Sequence, residues 1–106
     1  MELNIEGRTA GNSLVLELDG NLVMGDSNAK LRKSVRDSIE AGYKDIVLEM
    51  SDVDYVDSSG VGELISSLTA VNRADGSFVL LTPTDKAHKL LAISQLTDIF
   101  DIRYQH

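Results

Sequence analysis

An α/β fold is what this sequence predicts: a small mixed, largely parallel sheet with an N-terminal hairpin, covered by helices. Two observations lead there. Short apolar strand-like runs alternate with segments whose apolar residues recur at helical spacing, and that alternation calls for parallel pairing with right-handed crossovers. Ahead of them stand two polar–apolar alternating runs joined by turn residues, the pattern of an antiparallel edge. The 106 residues are read as one domain spanning 1–106, long enough to bury roughly two thirds of the unfolded surface without staples.

The elements follow in order. Glu2-Leu3-Asn4-Ile5-Glu6 alternates as a half-exposed strand does, and Leu14, Leu16 and Leu18 share one face of a second run. Gly11-Asn12 between them tolerates positive φ, so residues 2–19 read as a hairpin. Asp26 or Ser27 is expected to cap a helix on which Leu31, Val35 and Ile39 form an apolar stripe. Gly42 is placed to close it. Lys30, Arg32, Lys33 and Arg36 are read as its solvated face rather than a basic docking patch. Ile46-Val47-Leu48-Glu49-Met50 reads as a strand buried on both faces for much of its length. Val61, Leu64, Ile65, Leu68 and Val71 define a second helix, ended near Gly76, and Phe78-Val79-Leu80-Leu81 a further strand. Thr84 or Asp85 can cap a third helix carrying Ala87, Leu90 and Leu91. Ile99-Phe100-Asp101-Ile102 reads as a closing strand or a helix-end packing segment.

Composition excludes several functions. The chain has no cysteine, so disulfides, thiolate zinc sites and iron–sulfur clusters are out. Ten Lys and Arg against 17 Asp and Glu give a net charge of −7. Such a surface repels phosphate backbones, so no nucleic-acid partner is expected. No apolar run approaches the roughly 20 residues of a spanning helix. Met1-Glu2-Leu3-Asn4 lacks the marks of a signal peptide, so the expected setting is cytoplasmic, with no membrane partner.

Tyr55-Val56-Asp57-Ser58-Ser59-Gly60-Val61-Gly62 is the most informative segment. It leaves a strand and opens a helix, whose first amides lack internal partners and carry the positive end of the dipole. Such an end suits a phosphate. Ser58 or Ser59 is expected to cap it, and Gly60 and Gly62 to leave the backbone open to close approach. Two catalytic readings fail on the residues. A nucleophile elbow centred on Ser58 has Val56 where its first glycine belongs, and only His88 and His106 are available as bases. Gly20 to Ser27 has the glycine spacing of a phosphate-binding loop, but Asp26 stands where the lysine must neutralise phosphate. Asp45, Glu49, Asp52, Asp54, Asp57 and Glu63 show no Ca²⁺-loop spacing and read as a solvated acidic rim rather than a metal site. Glu40 and Glu63 are too distant in sequence to be judged as an acid–base pair. With no nucleophile, base and oxyanion set, a binding or switch module is favoured over an enzyme.

On these residues the chain resembles the STAS domain, and more narrowly the stand-alone bacterial anti-sigma factor antagonists. Asp57-Ser58-Ser59-Gly60-Val61-Gly62 looks like the family's phosphorylation loop. Gly20-Asn21-Leu22 is similar to its glycine-led segment after the second strand, Leu31-Arg32 to the start of its first helix, and Ile46-Val47-Leu48 through Tyr55-Val56 to its central strand and exit. The resemblance implies partner switching. The unphosphorylated domain binds an anti-sigma factor that is often also a serine kinase; phosphorylation of Ser58 releases it, and a phosphatase resets it. Asp57, Ser59, Gly60, Val61 and Gly62 then form the phosphosite loop and partner contact, with no catalysis, cofactor or metal. Amides near Gly60 to Gly62 are expected to hold the phosphate, and Asp54, Asp57 and Glu63 to repel it. Many members carry Asp directly after the Gly-x-Leu segment; here that position is Val23, with Asp26 three places on. The alternative within the family is a phospho-independent adaptor in a stressosome-like or lipid-transport assembly.

Overall fold

The computed structural model describes residues 2–105. Its elements run β1 (Asn4–Ala10), β2 (Ser13–Leu22), α1 (Asp26–Glu40), β3 (Asp45–Val56), α2 (Ser58–Arg73), β4 (Ser77–Leu81), α3 (Asp85–Ile93) and β5 (Asp101–Arg103). The strands lie in sequence order in one sheet. β1 pairs antiparallel with β2, and the later neighbours pair in parallel. This is the expected architecture. The hairpin turns at Gly11-Asn12, but β2 continues past residue 19 to Leu22, through register shifts that follow Glu17 and Gly20.

The core gathers Leu16, Leu18 and Leu22 of β2, Ile46, Leu48 and Met50 of β3, and Leu31, Val35 and Leu64 of the helices. Along β3, Ile46, Leu48 and Met50 are fully buried while Val47 and Glu49 are only half-buried. The strand is therefore less enclosed than its apolar run implies. α1 packs against α2, and α3 packs on β3.

Helix ends depart from the expected caps in an instructive way. Neither Asp26 nor Ser27 caps α1; its N-cap is Gly25, with no side-chain bond. Ser27 Oγ instead donates to the Val23 carbonyl at 2.6 Å and accepts from the Val23 amide at 2.9 Å. The hydroxyl thus pins the chain that leaves β2. At the other end the Gly42 amide reaches the Ile39 carbonyl and the Tyr43 amide that of Ser38, the two bonds of a Schellman close. α2 closes in the same way, but its left-handed residue is Asp75, φ 60°, rather than Gly76. Thr84 caps α3 by accepting from the Ala87 amide.

Candidate functional site: the paired exits of β2 and β3

Parallel strands β2 and β3 end side by side, Leu22 opposite Val56. Each then feeds a helix, and ligands of parallel α/β sheets gather at such carboxyl ends. The two exits are stitched together by one residue. Asp57 is the N-cap of α2: its amide donates to the Leu22 carbonyl at 3.2 Å, and its Oδ1 accepts from the Gly60 amide at 2.9 Å. Its other oxygen accepts from the Met24 amide at 3.1 Å, across 33 residues of sequence. Ser59 Oγ donates to Oδ1 at 2.5 Å. The Ser59 hydroxyl above all, then the Gly60 and Met24 amides, hold the Asp57 carboxyl below the usual carboxylate range, against a smaller opposing push from burial. The cap is therefore Asp57, not Ser58 or Ser59 as the sequence suggests, because the carboxylate can satisfy several donors at once.

The consequences for the loop are specific. Ser58, the first residue of α2, is exposed, and among the described residues its hydroxyl makes no hydrogen bond. Ser59 is half-buried; besides donating to Asp57 it accepts from Asn28 Nδ2 of α1 at 2.9 Å. Gly60 is not open to approach. It is buried, and a Cβ there would stand 2.3 Å from the Leu22 carbonyl oxygen and 3.0 Å from Val56 Cγ1. Its glycine serves contact between α2 and β2. Val61 is 6% exposed and belongs to the core, so its side chain offers no surface to a partner. Gly62 is exposed with open space around its Cα. The amides of Gly60 and Val61 are already taken, by the side chain and the carbonyl of Asp57. Those two amides are not free to hold an anion, as the sequence led one to expect; a group on Ser58 still feels the field of the helix end.

Glu63 is also unlike its expected role in an acidic rim. It is 6% exposed, and Arg32 of α1 grips it with two parallel bonds of 3.0 Å, Nε to Oε1 and Nη2 to Oε2. The Glu63 carboxylate in turn raises the Arg32 guanidinium pKa. A buried carboxylate needs such a partner, so Glu63 adds little net repulsion near Ser58. Asp54 remains exposed, as do Asp45 and Asp52. Among the described residues no group of three His, Cys, Asp or Glu converges to hold a metal. Glu40 and Glu63 both line a groove of about 520 Å³ between α1 and α2, but Glu63 is committed to Arg32, and none of Asp57 to Gly62 lines that groove. His88 stacks on Tyr104, ring centroids 5.9 Å apart; His106 lies outside the described residues. No described helix is long and apolar enough to cross a membrane.

Two features flanking Ser58 escape the motif. Met24, whose amide Asp57 holds, is 79% exposed, and Tyr55, opposite Asn21 at the end of β3, is 55% exposed. The other missed feature is the cross-helix pairing of Asn28 with Ser59 and of Arg32 with Glu63, each across 31 residues of sequence.

Known proteins share this fold. The anti-sigma-B factor antagonist of Staphylococcus aureus is 28% identical over 102 residues, covering 96% of this chain and 94% of the relative. The crystal structure of TM1081 from Thermotoga maritima superposes with a TM-score of 0.86 at 25% identity, over 96% of this chain and 86% of that one. SpoIIAA shares the fold at 20% identity, TM-score 0.81, over 97% of this chain and 89% of its own, in the unphosphorylated form; its phosphorylated form, from Bacillus, gives 0.74 at 21% identity, over 98% and 91%. The profile of the STAS domain matches residues 4–106, and the chain belongs to the STAS domain family.

Proposed function

We propose that this domain is an anti-sigma factor antagonist that binds an anti-sigma factor with serine-kinase activity while Ser58 is unmodified and releases it once Ser58 is phosphorylated. The observation that carries this reading is the contrast between adjacent serines at the head of α2: Ser58 is exposed with an unengaged hydroxyl, whereas Ser59 is held. The name of the Staphylococcus aureus relative supports the partner class. In this role the domain is substrate and ligand and performs no catalysis; a phosphatase restores the binding form.

The switch follows from charge and solvation. A phosphate adds about −1.5 to −2 charges and three strong acceptor oxygens. At Ser58 it sits on the first residue of α2, where the dipole favours it, so the fold tolerates it. It also stands close in sequence to exposed Asp54 and Tyr55 and to the ionised Asp57, whose carboxylate holds the amide of exposed Met24. A partner that covers this loop must then desolvate a phosphate among carboxylates. Switch couplings run about 1–3 kcal/mol, and 1.4 kcal/mol is about tenfold. Calorimetric titration against the anti-sigma partner should show phosphorylated protein binding at least roughly tenfold more weakly. Ser58→Asp should reproduce part of that loss and Ser58→Ala none of it. Equal affinities for the two forms would remove the switch and leave the phospho-independent adaptor.

A further inference from the structure

We propose that Asn28 decides which of the two adjacent serines can be phosphorylated, by holding the Ser59 hydroxyl in a closed hydrogen-bond chain that denies it to a kinase. This rests on the reading of Ser58 as the phosphate acceptor and adds the residue that makes the choice.

The chain of bonds fixes its own polarity. An ionised Asp57 can only accept, so the Ser59 hydroxyl must donate its single proton to Oδ1, at 2.5 Å. Ser59 Oγ is then left with acceptor capacity alone, so the group facing it from α1 must be the amide NH₂ of Asn28, at 2.9 Å. With the Asn28 amide oriented this way, its Oδ1 is buried and, among the described residues, has no hydrogen-bond partner. Asn28 itself is 8% exposed. An apolar side chain would avoid that unsatisfied acceptor, so Asn28 is poorly explained as packing and well explained as a donor to Ser59. Leu31 and Val35 continue the same buried stripe of α1, which fixes the rotation of the helix and so the aim of Asn28.

Phosphoryl transfer requires the opposite state of a serine. The attacking Oγ forms a bond to the γ-phosphorus of the kinase's ATP while the bond to the β-bridging oxygen breaks, ADP leaves, and the hydroxyl proton passes to the kinase's base. Ser58 presents an exposed, unengaged hydroxyl for this. Ser59 has its proton directed inward to Asp57 and an oxygen lone pair engaged by Asn28. To react it must break both bonds and turn outward. Asn28 is thus a positioning residue, acting through Ser59.

The test is the ratio of modification at the two sites. Wild-type protein incubated with its serine kinase and ATP should carry phosphate at Ser58 alone by mass spectrometry. Asn28→Ala should divert a fraction of at least about a tenth to Ser59, with circular dichroism showing the domain still folded. Should Asn28→Ala fail to fold, Asn28→Leu keeps the volume without the donor and should divert phosphate in the same way. Modification confined to Ser58 in a folded Asn28 variant overturns the proposal. If no serine kinase modifies the wild type at either site, the switch reading fails, and the proposal is decided by NMR couplings of the Ser59 side chain. One fixed Ser59 χ1 rotamer in wild type that becomes averaged in the variant supports it; the same rotamer behaviour in both, fixed or averaged, overturns it.

Discussion

Gly60→Val should destabilise the domain by about 3 kcal/mol or more, seen as a fall of roughly 10–20 °C in Tm. The added Cβ meets a backbone oxygen, Leu22 O at 2.3 Å, and the first methyl of Val56 at 3.0 Å. A flexible side chain could swing away, but the Leu22 carbonyl cannot: it accepts the Asp57 amide that joins the exits of β2 and β3. Relief therefore requires α2 to lift off the sheet, taking buried Val61 and Leu64 with it. The fraction that remains folded should bind its partner as before, because Gly60 offers that partner no surface. Gly62→Ala, two residues on, is the control. It sits on the same helix with open space around it, and should stabilise by about 0.5–1 kcal/mol through helix propensity. Thermal melts followed by circular dichroism check both. An unchanged Tm for Gly60→Val would mean that the contact of α2 with β2 is softer than its distances imply.

The different fates of these glycines mark where sequence stops being informative. Both stand in the same motif, and which of them touches β2 depends on how α2 is rotated against the sheet. The fold itself was legible because it rests on periodicity: the spacing of Leu31 and Val35, of Val61, Leu64 and Val71, and the runs at Ile46 and Phe78 all reappear as buried faces. The local setting of Asp57-Ser58-Ser59-Gly60 was legible too, since the segment follows a strand and opens a helix. Its wiring was not. The partners of Ser59 and Glu63 lie on α1, each 31 residues away, and only the packing of α1 on α2 brings them together. A faint signal existed. Asn28 precedes Leu31 and Val35 at helical spacing, and Glu63 lies beside Leu64, so both are polar groups on faces that otherwise go inward. Cap choice failed for a related reason: at α2, Asp57, Ser58 and Ser59 are all good N-cap types and selection depends on which can also reach a second strand exit, while at α1 the Ser27 hydroxyl is spent on Val23.

Asp57 is that selected residue, and Asp57→Ala should cost about 2–3 kcal/mol. Loss of an N-cap alone costs about 0.5–2 kcal/mol. Here the same carboxylate also satisfies the Met24 amide and the Ser59 hydroxyl, and hydrogen bonds to a charged group are worth more than neutral ones. The damage should also be directional. With the Met24 amide released, the chain between β2 and α1 loses its tie to α2, so hydrogen exchange should quicken at Met24 and Gly60 before it does in the β3 core. The pH dependence has a definite sign. The folded pKa of Asp57 lies below its unfolded value, chiefly because the ionised form accepts from Ser59, then from Gly60 and Met24. Its stabilising contribution is therefore complete above the unfolded value, near pH 4, and is lost as pH falls through the depressed folded pKa. Urea unfolding of wild type and Asp57→Ala should consequently show the full gap at neutral pH and a narrowing gap below about pH 4. A gap that held constant into acid would assign the stabilisation to the shape of the cap, and the charge of Asp57 would then not be what joins the two strand exits.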